Sequence, residues 1–358
     1  MLKKQYSLVL TLLISVSILA LICRGKSSDD TYIDQCIDSL PSYKPTLEVS
    51  GTIDVWGHGS FKHDFMGRLM TEWIREFTQF HPSVTFKNHL YGTASAIGAL
   101  STGAGNLAIL GEEISPSALE AFKREKGYEP KKFDLATGSI DINYFDYAHM
   151  IFVHKNNPLT ELSLDQLEAI FGSEHKLSSH NIRSWSELGL GSVWKQKPIH
   201  LYSWRVDEDF GLFFRERVLL GSHRWNPSIV EFTHLIRSDG SQYDQGQRIV
   251  DHVASDPYSI GISNIRYSNQ NVKILALSRK TGEKSYLPTK ENLITQNYPL
   301  VRIIPLYVDQ ESSGKMEPQL EEFIKYILSK NGQKALIEFS DYLPINPSIA
   351  LKQIHELK

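Results

Sequence analysis

From Thr52 onward the chain alternates short strand-like segments with amphipathic helical ones, and the joints are turns of glycine and hydroxyl residues. That order constrains the fold more than any other feature, because alternating strands and helices build a parallel sheet with helices packed on its faces. The first joint runs from Thr52–Trp56 through Gly57-His58-Gly59-Ser60-Phe61 into a helix expected from Asp64 to Phe80. Phe65, Leu69, Trp73, Ile74 and Phe77 recur there at helical spacing, and Pro82 closes the helix. The second joint leads from Val84–Phe86 through Tyr91-Gly92-Thr93-Ala94-Ser95 into a helix over 96–100. The third leads from Ile199–Ser203 through Trp204 to Gly211 and into a helix over 212–220. Such joints place hydroxyls and unpaired backbone N–H groups at a helix N-terminus, where an anion is well received. They point to a binding protein rather than to a catalyst.

A chain of 358 residues is long enough for two lobes, each with its own core. Its formal net charge of −3 offers no basic field, which excludes nucleic acid as the expected partner. Cys23 and Cys36 are the only cysteines, so neither a disulfide framework nor a cysteine metal site can be built. No cofactor or metal is expected. Lys3 and Lys4 precede an uncharged run from Gln5 to Cys23, which reads as a secretory signal or an N-terminal membrane anchor over residues 1–25. Ala20-Leu21-Ile22-Cys23 is similar to a lipoprotein box, with Ile22 where a small residue belongs. Export to a periplasmic or other extracytoplasmic compartment is expected, with residues 26–49 as a polar linker.

Further along, Ser115-Pro116 reads as the N-cap and first position of a helix through Lys126. Ser163 and Gly172 bracket a helix over Leu164–Phe171, and Pro318 opens an amphipathic helix followed by another over 332–339. Tyr147–Val153, Ser259–Ile262 and Leu300–Val308 read as strands.

Several segments, taken in order, resemble the phosphate-binding proteins of bacterial ABC transporters, within the type II periplasmic-binding-protein superfamily. They are Gly57-His58-Gly59-Ser60, Trp73 to Pro82, Gly92 to Ile97, Phe152 to Leu159, Leu164 to Gly172, Trp185 to Gly189, Ser259 to Ile262 and Leu328 to Gln333. The resemblance implies an α/β fold of two lobes with a ligand cleft between them. Lobe I would be 50–146 plus 263–358 and lobe II 147–262, with Tyr147–Val153 and Ile260–Ile262 as the two crossover strands. It also implies phosphate or a similar oxyanion as ligand, a membrane permease of the ABC type as partner, and a monomer. The family's loops map onto Ser60 and Phe61, onto Thr93 and Ser95, onto Glu112, and onto Arg205, Asp209 and Gly211.

Two of these residues carry alternatives. Arg205 has the forked donors of an anion clamp, yet Asp207 and Glu208 offer it a surface ion pair. If Asp207, Glu208 and Asp209 face the cleft, one carboxylate about 4 Å from the anion costs ~4 kcal/mol at an effective dielectric near 20, roughly a thousandfold in affinity. That would favour a degenerate receptor kept as a sensor, as a scaffold or for another ligand. If they face solvent, they complement a helix N-terminus and say nothing about ligand. Catalytic readings are poor: Gly92-Thr93-Ala94-Ser95-Ala96 lacks the frame of a nucleophile elbow, and His58 and His63 lack a third metal ligand.

Overall fold

A computed structural model describes residues 28–59, 65–140, 147–310 and 314–357. The helices are α1 (Ser28–Asp38), α2 (Phe65–Phe80), α3 (Thr93–Thr102), α4 (Pro116–Lys126), α5 (Leu164–Phe171), α6 (Asp209–Arg217), α7 (Gln245–Ser255), α8 (Lys290–Ile294), α9 (Pro318–Leu328), α10 (Lys330–Phe339) and α11 (Pro347–Glu356). Strands β1 (Gly51–Gly57), β2 (Val84–His89), β3 (Leu107–Ile109) and β4 (Lys131–Thr137) come first. They are followed by β5 (Met150–His154), β6 (Glu161–Ser163), β7 (His200–Trp204), β8 (Ile229–Phe232), β9 (Leu235–Ile236) and β10 (Gln242–Tyr243). The last are β11 (Ser259–Ser263), β12 (Val272–Ile274), β13 (Ala276–Ser278) and β14 (Ile303–Val308).

Two five-stranded sheets organise the chain, in the orders β2-β1-β3-β14-β4 and β12-β5-β11-β7-β8. β1 runs parallel to β2 and β3, as the strand–helix alternation requires, but β14 enters antiparallel to both β3 and β4. In the second sheet β7 is parallel to β8 and β11, whereas β5 is antiparallel to β11 and β12. Both sheets are therefore mixed rather than parallel, because each receives a strand that arrives from the other half of the chain.

Both expected crossover strands lie side by side in the second sheet, with Ile260 opposite Val153. β12 and β13 then pair with β5 and β6, so the chain keeps adding strands on that side beyond residue 262. The pairing puts the return to the first sheet between β13 and β14, later than the boundary expected at 262/263. The outgoing and returning connectors run together: Gly138 N donates to Arg302 O at 2.8 Å and His149 N to Leu300 O at 3.1 Å.

Local signals explain several elements. Ser115 caps α4 by accepting from Ala118 N, with Pro116 at the first position. Ser163 and Gln166 form a reciprocal capping box on α5, which ends at Gly172. α2 buries Met66, Leu69, Met70, Trp73 and Phe77 along one face, and Trp73 Nε1 donates to Gly332 O at 2.9 Å, tying it to α10.

Residues 28–49, expected as a linker, are packed instead. α1 and the segment after it bury Ile33, Cys36, Ile37, Leu40, Tyr43 and Val49. The apolar side chains are few but fall on one helical face, and the following strap is fixed by polar contacts. Lys330 N donates to Pro41 O at 2.9 Å, and Tyr43 N donates to Asn331 Oδ1 at 3.0 Å. No helix among the described residues is long and apolar enough to cross a membrane.

Candidate functional site

The first two joints meet at the C-terminal end of the first sheet. Gly92 N donates to Gly57 O at 3.0 Å, and His58 N donates to Ile109 O at 2.9 Å. A Cβ on Gly59 would stand 2.9 Å from Leu90 O, so this approach of the two turns requires glycine. Ser60 and Phe61 lie outside the described residues.

α3 begins at Thr93, earlier than expected, with Gly92 as its N-cap and no side chain capping it. The first-turn N–H groups of such a helix have no intrahelical acceptor. Thr93 Oγ1 accepts from Gly111 N at 3.2 Å, joining this turn to the 111–113 loop. Ser95 turns its proton inward, donating to Gly92 O at 2.7 Å.

Glu112 and Glu113 are both paired with arginines. Glu113 accepts from Arg217, at the far end of α6, so this ion pair links the two halves of the molecule. Glu112 Oε2 accepts from Arg302 Nη2 at 3.2 Å.

The third joint differs from the first two. Arg205 donates from Nε and Nη2 to the two carboxylate oxygens of Asp207, at 3.1 and 2.8 Å, with Glu208 at 3.8 Å. Its side chain is 46 % exposed and that of Asp207 63 %. In this conformation the Arg205 guanidinium is held by Asp207 in an exposed ion pair. Asp209 is exposed in the first turn of α6, where a negative charge suits the helix N-terminus. Gly211 is buried, and a Cβ there would come within 2.5 Å of Arg205 O, so glycine lets α6 lie against its own entry loop.

Behind this joint lies a cluster in which Trp204 and Phe210 belong to the joint itself, while His149, Phe213 and Arg302 were not singled out from the sequence. Phe210 stacks on Trp204 at 4.5 Å and on Tyr147 at 5.2 Å. His149, fully buried, lies 4.8 Å from Trp204 and 4.7 Å from Phe213 between ring centroids. The Arg302 guanidinium, 1 % exposed, sits 4.6 Å over the Phe213 ring. Burial, and then the charge of Arg302, hold His149 well below the usual histidine range, so its ring is neutral. Among the described residues, Arg302 Nε and Nη1, both ring nitrogens of His149 and Trp204 Nε1 have no hydrogen-bond partner. A buried polar atom left so typically costs about 1–3 kcal/mol, and more on a charged group.

A signal for Arg302 existed. It stands in Leu300-Val301-Arg302-Ile303-Ile304-Pro305-Leu306, one charge inside an apolar run, and such a charge is rarely buried without a purpose.

Comparison with known proteins agrees with this architecture. A family model described as a PBP superfamily domain matches residues 64–331. Over 321 residues the chain is 30% identical to the phosphate-binding protein PstS of Pseudomonas aeruginosa, covering 89% of this chain and 91% of that protein. Among solved structures, PstS from Borrelia burgdorferi superposes with a TM-score of 0.54 at 16% identity, covering 83% of this chain and 99% of that one. An ABC-type phosphate transport receptor from Vibrio cholerae gives 0.50 at 18% identity, covering 81% and 99%. At these identities the two structures speak for the fold alone.

Proposed function

Because this chain belongs to the periplasmic-binding-protein superfamily, we propose that it is an extracytoplasmic solute-binding protein that takes phosphate or a similar oxyanion between its lobes and presents it to an ABC-type membrane permease. The observation that carries the reading is the match to the Pseudomonas phosphate-binding protein across about nine-tenths of both chains. The geometry supports it. Turns 57–59 and 91–95 converge at an uncapped helix N-terminus, and Arg217 of the other half reaches Glu113 in the loop joined to it. Two connectors lying side by side suit a hinge, and an anion that binds both lobes more tightly when they are together holds them closed.

The family is one of transport receptors, and this protein is read as a monomeric receptor without enzymatic activity or affinity for nucleic acid. Residues 1–25 would direct export or anchor the chain. The degenerate-receptor alternative rested on an acidic cleft. With Asp207 and Asp209 exposed and Glu113 held by Arg217, Glu112 on Arg302 is the one of these carboxylates left at the site.

Calorimetric titration of the full chain with inorganic phosphate, with sulfate as control, tests the reading. Saturable phosphate binding is expected; a protein that takes up neither anion would sink it.

A further inference from the structure

The buried cluster behind α6 has the composition of an anion site that is shut. Arg302 comes from the returning connector and His149 from the outgoing one, and the two backbones are joined there through His149 N on Leu300 O and Gly138 N on Arg302 O. Trp204 ends β7. Three elements thus deliver donors to one place in the hinge, and Phe210 and Phe213 of α6 lie over them.

We propose that Arg302, the Trp204 indole N–H and His149 form the floor of the oxyanion site, covered in this form by Phe213 and by the Glu112 carboxylate. The inference rests on the receptor reading above and names residues for it that the loops do not supply.

The donor count fits. Arg302 brings Nε–H and both Nη1 protons in the planar fork that matches two oxygens of a tetrahedral anion. Trp204 adds one indole N–H. A neutral imidazole carries one N–H, and since neither ring nitrogen of His149 is held by a partner, either tautomer can form and the nitrogen that faces an entering oxyanion can donate to it. Rings of Phe210, Phe213 and Trp204 keep the local dielectric low, which strengthens each charged hydrogen bond.

The cover is equally specific. Glu112 occupies Arg302 Nη2 at 3.2 Å and is itself 34 % exposed, so it is an internal carboxylate standing where an anion's oxygen would be. Arg217, on the same helix as Phe213, holds Glu113 next door, so outward movement of α6 breaks that ion pair as it uncovers Arg302. An entering anion displaces Glu112 from Arg302, and the freed carboxylate already reaches solvent.

The test is calorimetry with inorganic phosphate and with sulfate on the full chain and its variants, each checked for native fold by near-ultraviolet circular dichroism. Arg302→Met should weaken phosphate at least a hundredfold, and Arg302→Lys less, since charge remains while the fork is lost. Should Arg302→Met fail to fold, Arg302→Met combined with Glu112→Gln removes both charges together and should show the same loss. Glu112→Gln alone should bind phosphate about tenfold more tightly. His149→Phe removes one donor and should weaken phosphate about tenfold. A wild-type protein that binds phosphate, with Arg302 variants that bind it equally, overturns the inference and leaves the receptor reading intact. Unchanged phosphate affinity in His149→Phe removes His149 from the floor. A wild-type protein that binds neither anion overturns both.

Discussion

Two buried polar clusters in this molecule have similar ingredients and opposite bookkeeping. In the first lobe Glu322, fully buried, accepts from Tyr43 Oη at 2.6 Å, from Thr46 N at 3.2 Å, from Thr46 Oγ1 and from Lys325 Nζ at 3.3 Å. Tyr43 Oη also lies 2.7 Å from His81 Nε2. Each charge is met, His81 Nδ1 alone of these groups lacks a partner, and the cluster straps residues 43–46 onto α9. In the hinge, Arg302, His149 and Trp204 are buried as deeply and left with free donors. Natural cores seldom tolerate such groups without recompense. The first cluster therefore reads as structure and the second as a site held in reserve.

The largest expected effect comes from breaking the satisfied cluster. Glu322→Ala leaves Thr46 without its acceptor, Tyr43 with His81 alone and Lys325 with Glu321 as its one carboxylate, and should lower stability by about 2–4 kcal/mol in urea unfolding, with phosphate affinity unchanged in the folded fraction. If the variant folds normally but loses phosphate, the division between the two clusters is wrong.

Lifting the cover of the other cluster is the next test. Gly211→Ala forces a methyl against the 205–206 backbone and should cost about 1–3 kcal/mol. Trp204 emission should shift to the red as α6 moves out. An unshifted spectrum would mean that α6 does not act as the cover.

Acid gives the smallest and most discriminating signal. His149 is neutral in the fold with its pKa well below the ordinary value of 6.5, whereas the unfolded chain takes up a proton near 6.5. Its stabilising contribution is complete above 6.5 and falls as pH drops towards the folded-state pKa, by at most about 1.4 kcal/mol per pH unit. His81, lowered by burial against the opposing pull of Glu322 and Glu48, adds to the same window. Glu322 behaves otherwise. Burial raises its pKa, but hydrogen bonds from Thr46 and Tyr43 outweigh that and hold it below 4.5, so its contribution is complete above 4.5 and lost below. His149→Phe should flatten the stability curve just below pH 6.5 and leave the more acidic limb unchanged. An unaltered slope would place a charged imidazole in the hinge.

What was legible in the sequence is what short-range chemistry decides. Ser115-Pro116, the Ser163–Gln166 pair and the glycine turns at 57–59 and 92 specify where helices begin, and they begin there or within a few residues. The direction of side chains past those turns was not legible. Arg205 follows a strand and precedes a helix, as an anion clamp does, yet two residues later Asp207 captures it. Helix α1 escaped notice because its apolar residues are sparse among acids, and only the groove offered by α8 and α10 makes them count. Arg302 escaped because nothing near it in sequence explains a charge; its partners lie at 112 and 213.

The strap at the N-terminus has a mechanical consequence. Through Pro41 and Asn331, and through Tyr43 and Thr46 on Glu322, the start of the folded chain is riveted to the body that carries the first sheet. If residues 1–25 stay in place as an anchor, the mooring line is made fast to that half, and the half bearing α6 would be the jaw left to swing without dragging on its leash.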